Sequence, residues 1–208
     1  MKYYLIISLL LLCYLGSAQV LHYEVVKGSR SLGEMQSHHY ISGGKDIYHI
    51  KSNVAFKLLF SFNVAYEQKE VFQNDTLREG NGYNTLNESV QKETELSRRT
   101  SDYKLSFNGV SNYIREGAIT KSMSQIHFRE PKNGETFFSQ HFGKYVTFEQ
   151  IDEHRYAMSS PDGENEYTYE NGYCTEIKVV RDYATFYFKM KPKTLVRVKN
   201  KTDSLFHK

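Results

Sequence analysis

Apolar and polar residues alternate with period two through most of this chain, and the 3.6-residue spacing of amphipathic helices is almost missing. Such alternation marks strands that bury one face. The runs fall at 20–27, 32–42, 45–57, 60–72, 76–86, 89–99, 103–107, 110–116, 119–128, 144–151, 155–159, 164–170, 173–181 and 183–190. Turn dipeptides punctuate them: Gly43-Gly44, Asn81-Gly82, Asn108-Gly109, Asn133-Gly134, Asn171-Gly172 and the tetrapeptide Ser160-Pro161-Asp162-Gly163. Asn, Asp and Gly tolerate the positive φ that tight hairpins demand. One short helix is predicted, about Gly134 to Phe142. The fold class is therefore all-β: a curved antiparallel meander of about a dozen strands, a half-barrel or barrel, with at most one or two short helices. A flat open sheet rarely holds so many strands without curling or closing.

The alternation also assigns faces. Ala184, Phe186, Phe188 and Met190 share one side of the last run, and Phe60, Phe62, Val64 and Tyr66 share one side of 60–72. Between 54 and 62 the chain is apolar on both sides, as expected of a strand covered on both faces or of a cavity wall. A concave wall lined by Phe and Tyr can hold an apolar ligand. Phe56, Phe60, Phe62 and Tyr66 are the candidate ligand-binding residues, with a filled interior as the competing explanation for each.

Three features change this picture. First, Met1-Lys2, the apolar run Tyr3–Leu15 and Gly16-Ser17-Ala18 have the layout of a secretory signal peptide cut between Ala18 and Gln19. Thirteen residues of helix reach roughly 20 Å, short of the ~30 Å hydrocarbon layer. No other stretch could span a membrane as a helix. The expected product is periplasmic or extracellular, one β domain over 19–190. Cys13 leaves with the signal, so Cys174 remains alone as a buried, inert thiol and no internal disulfide forms. Second, residues 191–208 carry six basic side chains against one acid, Asp203, in a chain whose total charge is only +3. This segment is expected to be a basic tail or a last edge strand, able to touch an anionic surface or an envelope protein. The modest overall charge gives no support to nucleic-acid binding. Third, eight histidines survive processing. A two-residue loop at Gly43-Gly44 places His38 opposite His49. A three-residue loop at Ser29-Arg30-Ser31 would bring His22 beside His38.

Three imidazoles in a row suggest a metal-dependent envelope enzyme as the alternative function. Two ladder steps spread the row over roughly 9–10 Å, wide for one ion, and a solvated polar face accounts for it equally. No G-x-S-x-G, phosphate loop, G-x-G-x-x-G, H-E-x-x-H or C-x-x-C occurs. The carboxylate pairs Glu93/Glu95 and Glu164/Glu166 adjoin turns or basic residues and read as solvated. No catalytic residue, cofactor or metal site is assigned.

Several stretches carry a resemblance. Gln19 follows the cleavage site, Leu21-His22-Tyr23-Glu24-Val25 leads to Ser31-Leu32-Gly33, the third run enters Phe60-Ser61-Phe62, and Tyr169-Glu170-Asn171-Gly172 forms a late hairpin. Together these resemble exported Bacteroidetes proteins of a family of unknown function. In plan the chain is also similar to the curved-sheet lipoprotein carriers of the bacterial envelope. That resemblance implies a non-catalytic protein that binds a lipid or another amphipathic envelope component.

Overall fold

The alternating runs form one antiparallel sheet in the computed structural model, which describes residues 18–57, 61–114, 117–182 and 184–192. Residues 1–17, with almost all of the expected signal peptide, lie outside the described residues, as do Leu58, Leu59, Phe60 and the basic segment from Lys193 onward. The strands are β1 (Gln19–Lys27), β2 (Arg30–Ser42), β3 (Lys45–Lys57), β4 (Ser61–Gln73), β5 (Thr76–Leu86), β6 (Ser89–Arg98), β7 (Tyr103–Phe107), β8 (Val110–Ile114), β9 (Glu135–Ser139), β10 (Lys144–Asp152), β11 (Arg155–Ser160), β12 (Gly163–Glu170), β13 (Tyr173–Arg181) and β14 (Ala184–Met190). In space they run from β8 back to β1, then from β14 back to β9. Thus β1 and β14 pair in the middle, and β8 and β9 form the two margins. The sheet curls without closing.

Tight turns make these hairpins. Gly43-Gly44 at φ 56° and 72°, and Asn171-Gly172 at 52° and 82°, adopt the left-handed pairs that match the twist of the flanking strands. The β1–β2 loop departs from expectation. It has two residues, Gly28 and Ser29, because Lys27 pairs with Arg30. A bulge between Val25 and Val26 takes up the difference, with Val25 opposite Gly33 and Val26 opposite Ser31. Asn81-Gly82 is a second correction. It lies inside β5 and makes no turn. A Cβ on Gly82 would sit 3.0 Å from Thr94 Oγ1, so the residue serves close packing instead.

The inner face carries Leu21, Tyr23, Met35, Ile50, Tyr156, Met158, Tyr167 and Ile177 in one buried cluster. Phe72, Leu77, Leu96, Tyr103, Leu105 and Ile119 form a second. Strand β9 lies between them, with Phe137 in the first cluster and Phe138 in the second. The β9 margin is therefore rolled inside, against the inner face of β4–β7. This corrects the helix expected at 134–142. Consecutive buried residues there arise from a strand covered on both faces, which periodicity cannot separate from a buried helix.

The strand expected at 119–128 is also absent. That stretch crosses the interior with a one-turn 3₁₀ helix, Met123–Gln125, and a single bridge from Ser122 to Phe138. Its backbone is satisfied elsewhere. Leu77 N–H donates to Ile119 O (2.8 Å), and Phe138 N–H to Lys121 O (2.9 Å). The buried Tyr103 hydroxyl accepts from Ile119 N–H (2.9 Å) and donates to Leu77 O (3.0 Å). Tyr103→Phe leaves both backbone groups without that partner. A loss of about 2 kcal/mol is expected, seen as a melting point lower by roughly 4–8 °C.

Candidate functional site

At the β3–β4 end of the curled sheet, Phe56 and Phe62 stand directly opposite each other. They project from the face that carries Ile50 and Ser52, since residues at even spacing share a face. Their rings stack at 5.3 Å between centroids, 25° from parallel. Phe186 of β14 tilts against Phe56 at 5.9 Å. Phe56 and Phe62 border a cavity of about 330 Å³, which Arg30, Leu32, Ala55, Ser61, Asn63 and Asn87 also line. That volume is at the lower end of the range for small-molecule sites. The polar rim is braced: Asn63 N–H donates to Asn87 Oδ1 (2.8 Å), and Asn87 N–H donates to Asn63 O (2.8 Å). Lys27, opposite the lining residue Arg30, places its Nζ 5.9 Å from the centroid of Phe186.

The four residues singled out by alternation do not share this cavity. Phe56 and Phe62 line it, and Phe60 lies outside the described residues. Tyr66 is on the same face but four residues further along β4, roughly 13 Å away at strand rise. Its hydroxyl donates to Gln68 Oε1, and its ring meets His141 edge-on. A polar cavity of about 10 Å³ lies beside it, lined by Gln68, Asn84, Lys92, Thr94 and His141. That is the scale of one water molecule and excludes an organic ligand. Burial pushes the Tyr66 phenol well up, with Glu70 adding to the effect.

Beyond Tyr66 the polar chain continues inward. Gln68 Nε2 donates to Glu70 Oε1 (2.7 Å). The other Glu70 oxygen accepts from the hydroxyls of Ser122 and Ser124, so β4 holds the interior crossing segment. Glu70 is fully buried. Burial raises its pKa against the opposing pull of Ser122, Ser124 and Gln68. The pattern that could have found it is an acid on the same face as Phe62, Val64 and Phe72. Nearby, burial lowers His127 to about 4, and its Nδ1 lies 3.2 Å from Ser37 Oγ. Cys174 is buried, and burial pushes its thiol well up. An un-ionised thiol is a poor nucleophile.

The histidines occupy the opposite face. His38 pairs with His49 as the Gly43-Gly44 turn dictates, with ring centroids 6.1 Å apart. His22 falls opposite Gln36, one diagonal step from His38, because the first loop is a residue shorter than expected. Burial first, then His49 and His22, lower His38 to about 4. His49 Nε2 lies 2.6 Å from Glu67, which also accepts from the Tyr83 hydroxyl at 2.8 Å. Among the described residues no three His, Cys, Asp or Glu side chains gather into a group able to hold a metal ion. No helix among them is long and apolar enough to cross a membrane.

A family model, described as a domain of unknown function and designated DUF6134, matches residues 23–191. This chain belongs to the DUF6134 family. The match runs from β1 to the end of β14, so both the mouth and the Glu70 network fall within the DUF6134 region. No curated protein matches the chain. Among solved structures, the DUF6134 chain is similar to a β-barrel-like protein from Brucella abortus, itself a domain of unknown function designated DUF1849. The TM-score is 0.52 at 8% identity, over 85% of this chain and 96% of that one. At that identity the likeness concerns the fold alone: a DUF6134 sheet curled in a barrel-like manner.

Proposed function

We propose that this chain is an exported, non-catalytic β protein that takes an apolar or amphipathic envelope component into the mouth between β2, β3 and β4. The supporting observation is the cavity itself: two stacked phenylalanines, a third ring against them and a braced polar rim, around 330 Å³. Apolar contact with such a wall contributes about 25 cal/mol per Å² removed from water. In this reading the signal at 1–18 is removed after Ala18, and residues 19–190 act as one domain in the periplasm or outside the cell. The buried, un-ionised Cys174 and the absence of a recognised nucleophile motif favour binding over catalysis.

The test uses N-phenyl-1-naphthylamine, a neutral apolar fluorophore. The processed chain is expected to bind it, with emission enhanced and blue-shifted. Replacing Phe56 and Phe62 together by Ala removes on the order of 50 Å² of contact per ring, and roughly fiftyfold weaker binding is expected. Tyr66→Phe, deeper and outside the mouth, is expected to leave the affinity unchanged. Equal binding by wild type and the double variant would place the dye elsewhere and remove the mouth from the proposal.

A further inference from the structure

The mouth is chemically lopsided. Its apolar wall is Leu32, Phe56 and Phe62, and its rim holds Arg30 of the β1–β2 hairpin. Lys27 and Arg30 are paired directly across the two-residue Gly28-Ser29 turn. Like charges directly opposite in a ladder repel, and natural sheets normally set an acid there. Among the described residues, neither Lys27 nor Arg30 makes an ion pair, although Lys51, Lys121, Lys178, Lys189 and Lys191 all do. The cavity lining contains no acid: Arg30 is accompanied by Ser61, Asn63 and Asn87. The two-residue turn sets this register, since the three-residue loop expected from sequence would not pair Lys27 with Arg30.

We infer that the mouth selects a single-chain amphiphile with an anionic head, its tail among Leu32, Phe56 and Phe62 and its carboxylate or phosphate on Arg30, with Lys27 opposite as the second cation. This inference rests on the binding reading above and adds the charge and orientation of the ligand. An anion at this rim relieves the repulsion between the two cations, so both side chains favour its capture. The volume suits one chain and excludes a bulky two-chain lipid from entering whole. The uncharged amides of Asn63 and Asn87 offer the head nothing repulsive on the far side.

The experiment is displacement of N-phenyl-1-naphthylamine from the processed full chain by four competitors below their micellar concentrations: laurate, dodecyl phosphate, 1-decanol and dodecyltrimethylammonium. Coulomb attraction to the two cations favours an anionic head over a neutral one. Laurate or dodecyl phosphate is therefore expected to compete about tenfold better than decanol, and the cationic amphiphile worst. The stronger of the two anions identifies the head. Inorganic phosphate alone is expected to displace nothing. K27Q/R30Q should bring the anions down to the level of decanol. K27E/R30E should reverse the order in favour of the cationic amphiphile. If all four compete equally, or K27Q/R30Q keeps the anion preference, the inference is overturned and the apolar-binding proposal stands. If the dye and every competitor fail to bind a folded wild-type chain, both fall together.

Discussion

Gly33→Ala is expected to be among the most damaging single-methyl additions to this chain, lowering the melting point by roughly 10 °C or more. A Cβ at Gly33 would stand 2.0 Å from the carbonyl oxygen of Asn53 and 2.9 Å from Val54 Cα. Both are backbone atoms of the adjacent strand β3, which pairs with Gly33 at Val54. No flexible side chain can move aside. Strand β2 must shift away from β3 or lose its pairing there, at a cost on the order of 4 kcal/mol, and each kcal/mol moves the midpoint by about 2–4 °C at this size. Gly28→Ala and Gly43→Ala are the controls. Both glycines have positive φ, 60° and 56°, but nothing lies within 4 Å of either new methyl. Each should cost only about 1 kcal/mol from backbone strain. Circular dichroism melts of the three variants decide the matter. A Gly33→Ala melt within 2 °C of wild type would mean that the bulge relaxes freely. Because that bulge adjoins the turn that pairs Lys27 with Arg30, the same variant should also weaken anion binding at the mouth.

This bulge shows where sequence patterning stops. Period-two alternation identifies which residues share a face: Phe62, Val64 and Tyr66 share one side of β4, and Phe186 and Phe188 share one side of β14. The hairpin turns were legible for the same local reason: Gly43-Gly44, Asn108-Gly109 and Asn171-Gly172 all take the positive φ that their residue types permit. Depth along a strand is a different matter. Tyr66 is sealed in and Phe62 lines a mouth because the segment around Ser122–Ser124 fills one level of the interior, more than fifty residues away in sequence. Strand β9 was misread for a related reason. Phe137 and Phe138 are buried on opposite faces by two different clusters, so no alternation survives. Lys27 and Arg30 could not be proposed as a pair, since a loop one residue longer separates them. What remained illegible is thus what the rolling of the sheet decides.

The Glu70 network tests that rolling directly. Glu70→Ala removes the common acceptor of Ser122, Ser124 and Gln68 inside a buried site. A loss of about 4 kcal/mol is expected, at 1–3 kcal/mol for each donor left stranded and with the Ser122–Ser124 hydrogen bond at 2.9 Å recovering part of it. Glu70→Gln keeps an acceptor and should cost less. The pH dependence carries the sharper signature. Burial raises the folded pKa of Glu70 above the ordinary 4.5, and no ion pair among the described residues offsets it. The folded state therefore holds this proton more tightly than the unfolded chain does. Its contribution is fully present below about 4.5 and is lost as pH rises through the folded value. His38 and His127, both lowered to about 4 by burial, act oppositely: they remove stability as pH falls below 6.5. Wild-type melts alone mix the two trends, so the informative quantity is the difference between wild type and Glu70→Gln. Wild type should lose ground to Glu70→Gln as pH rises from about 4.5 through the folded value. Parallel curves across that interval would show that the carboxyl ionises inside at no cost. Since Glu70 ties Ser122 and Ser124 to β4, the segment crossing the interior would then be held by its backbone bonds to Leu77 and Phe138 instead.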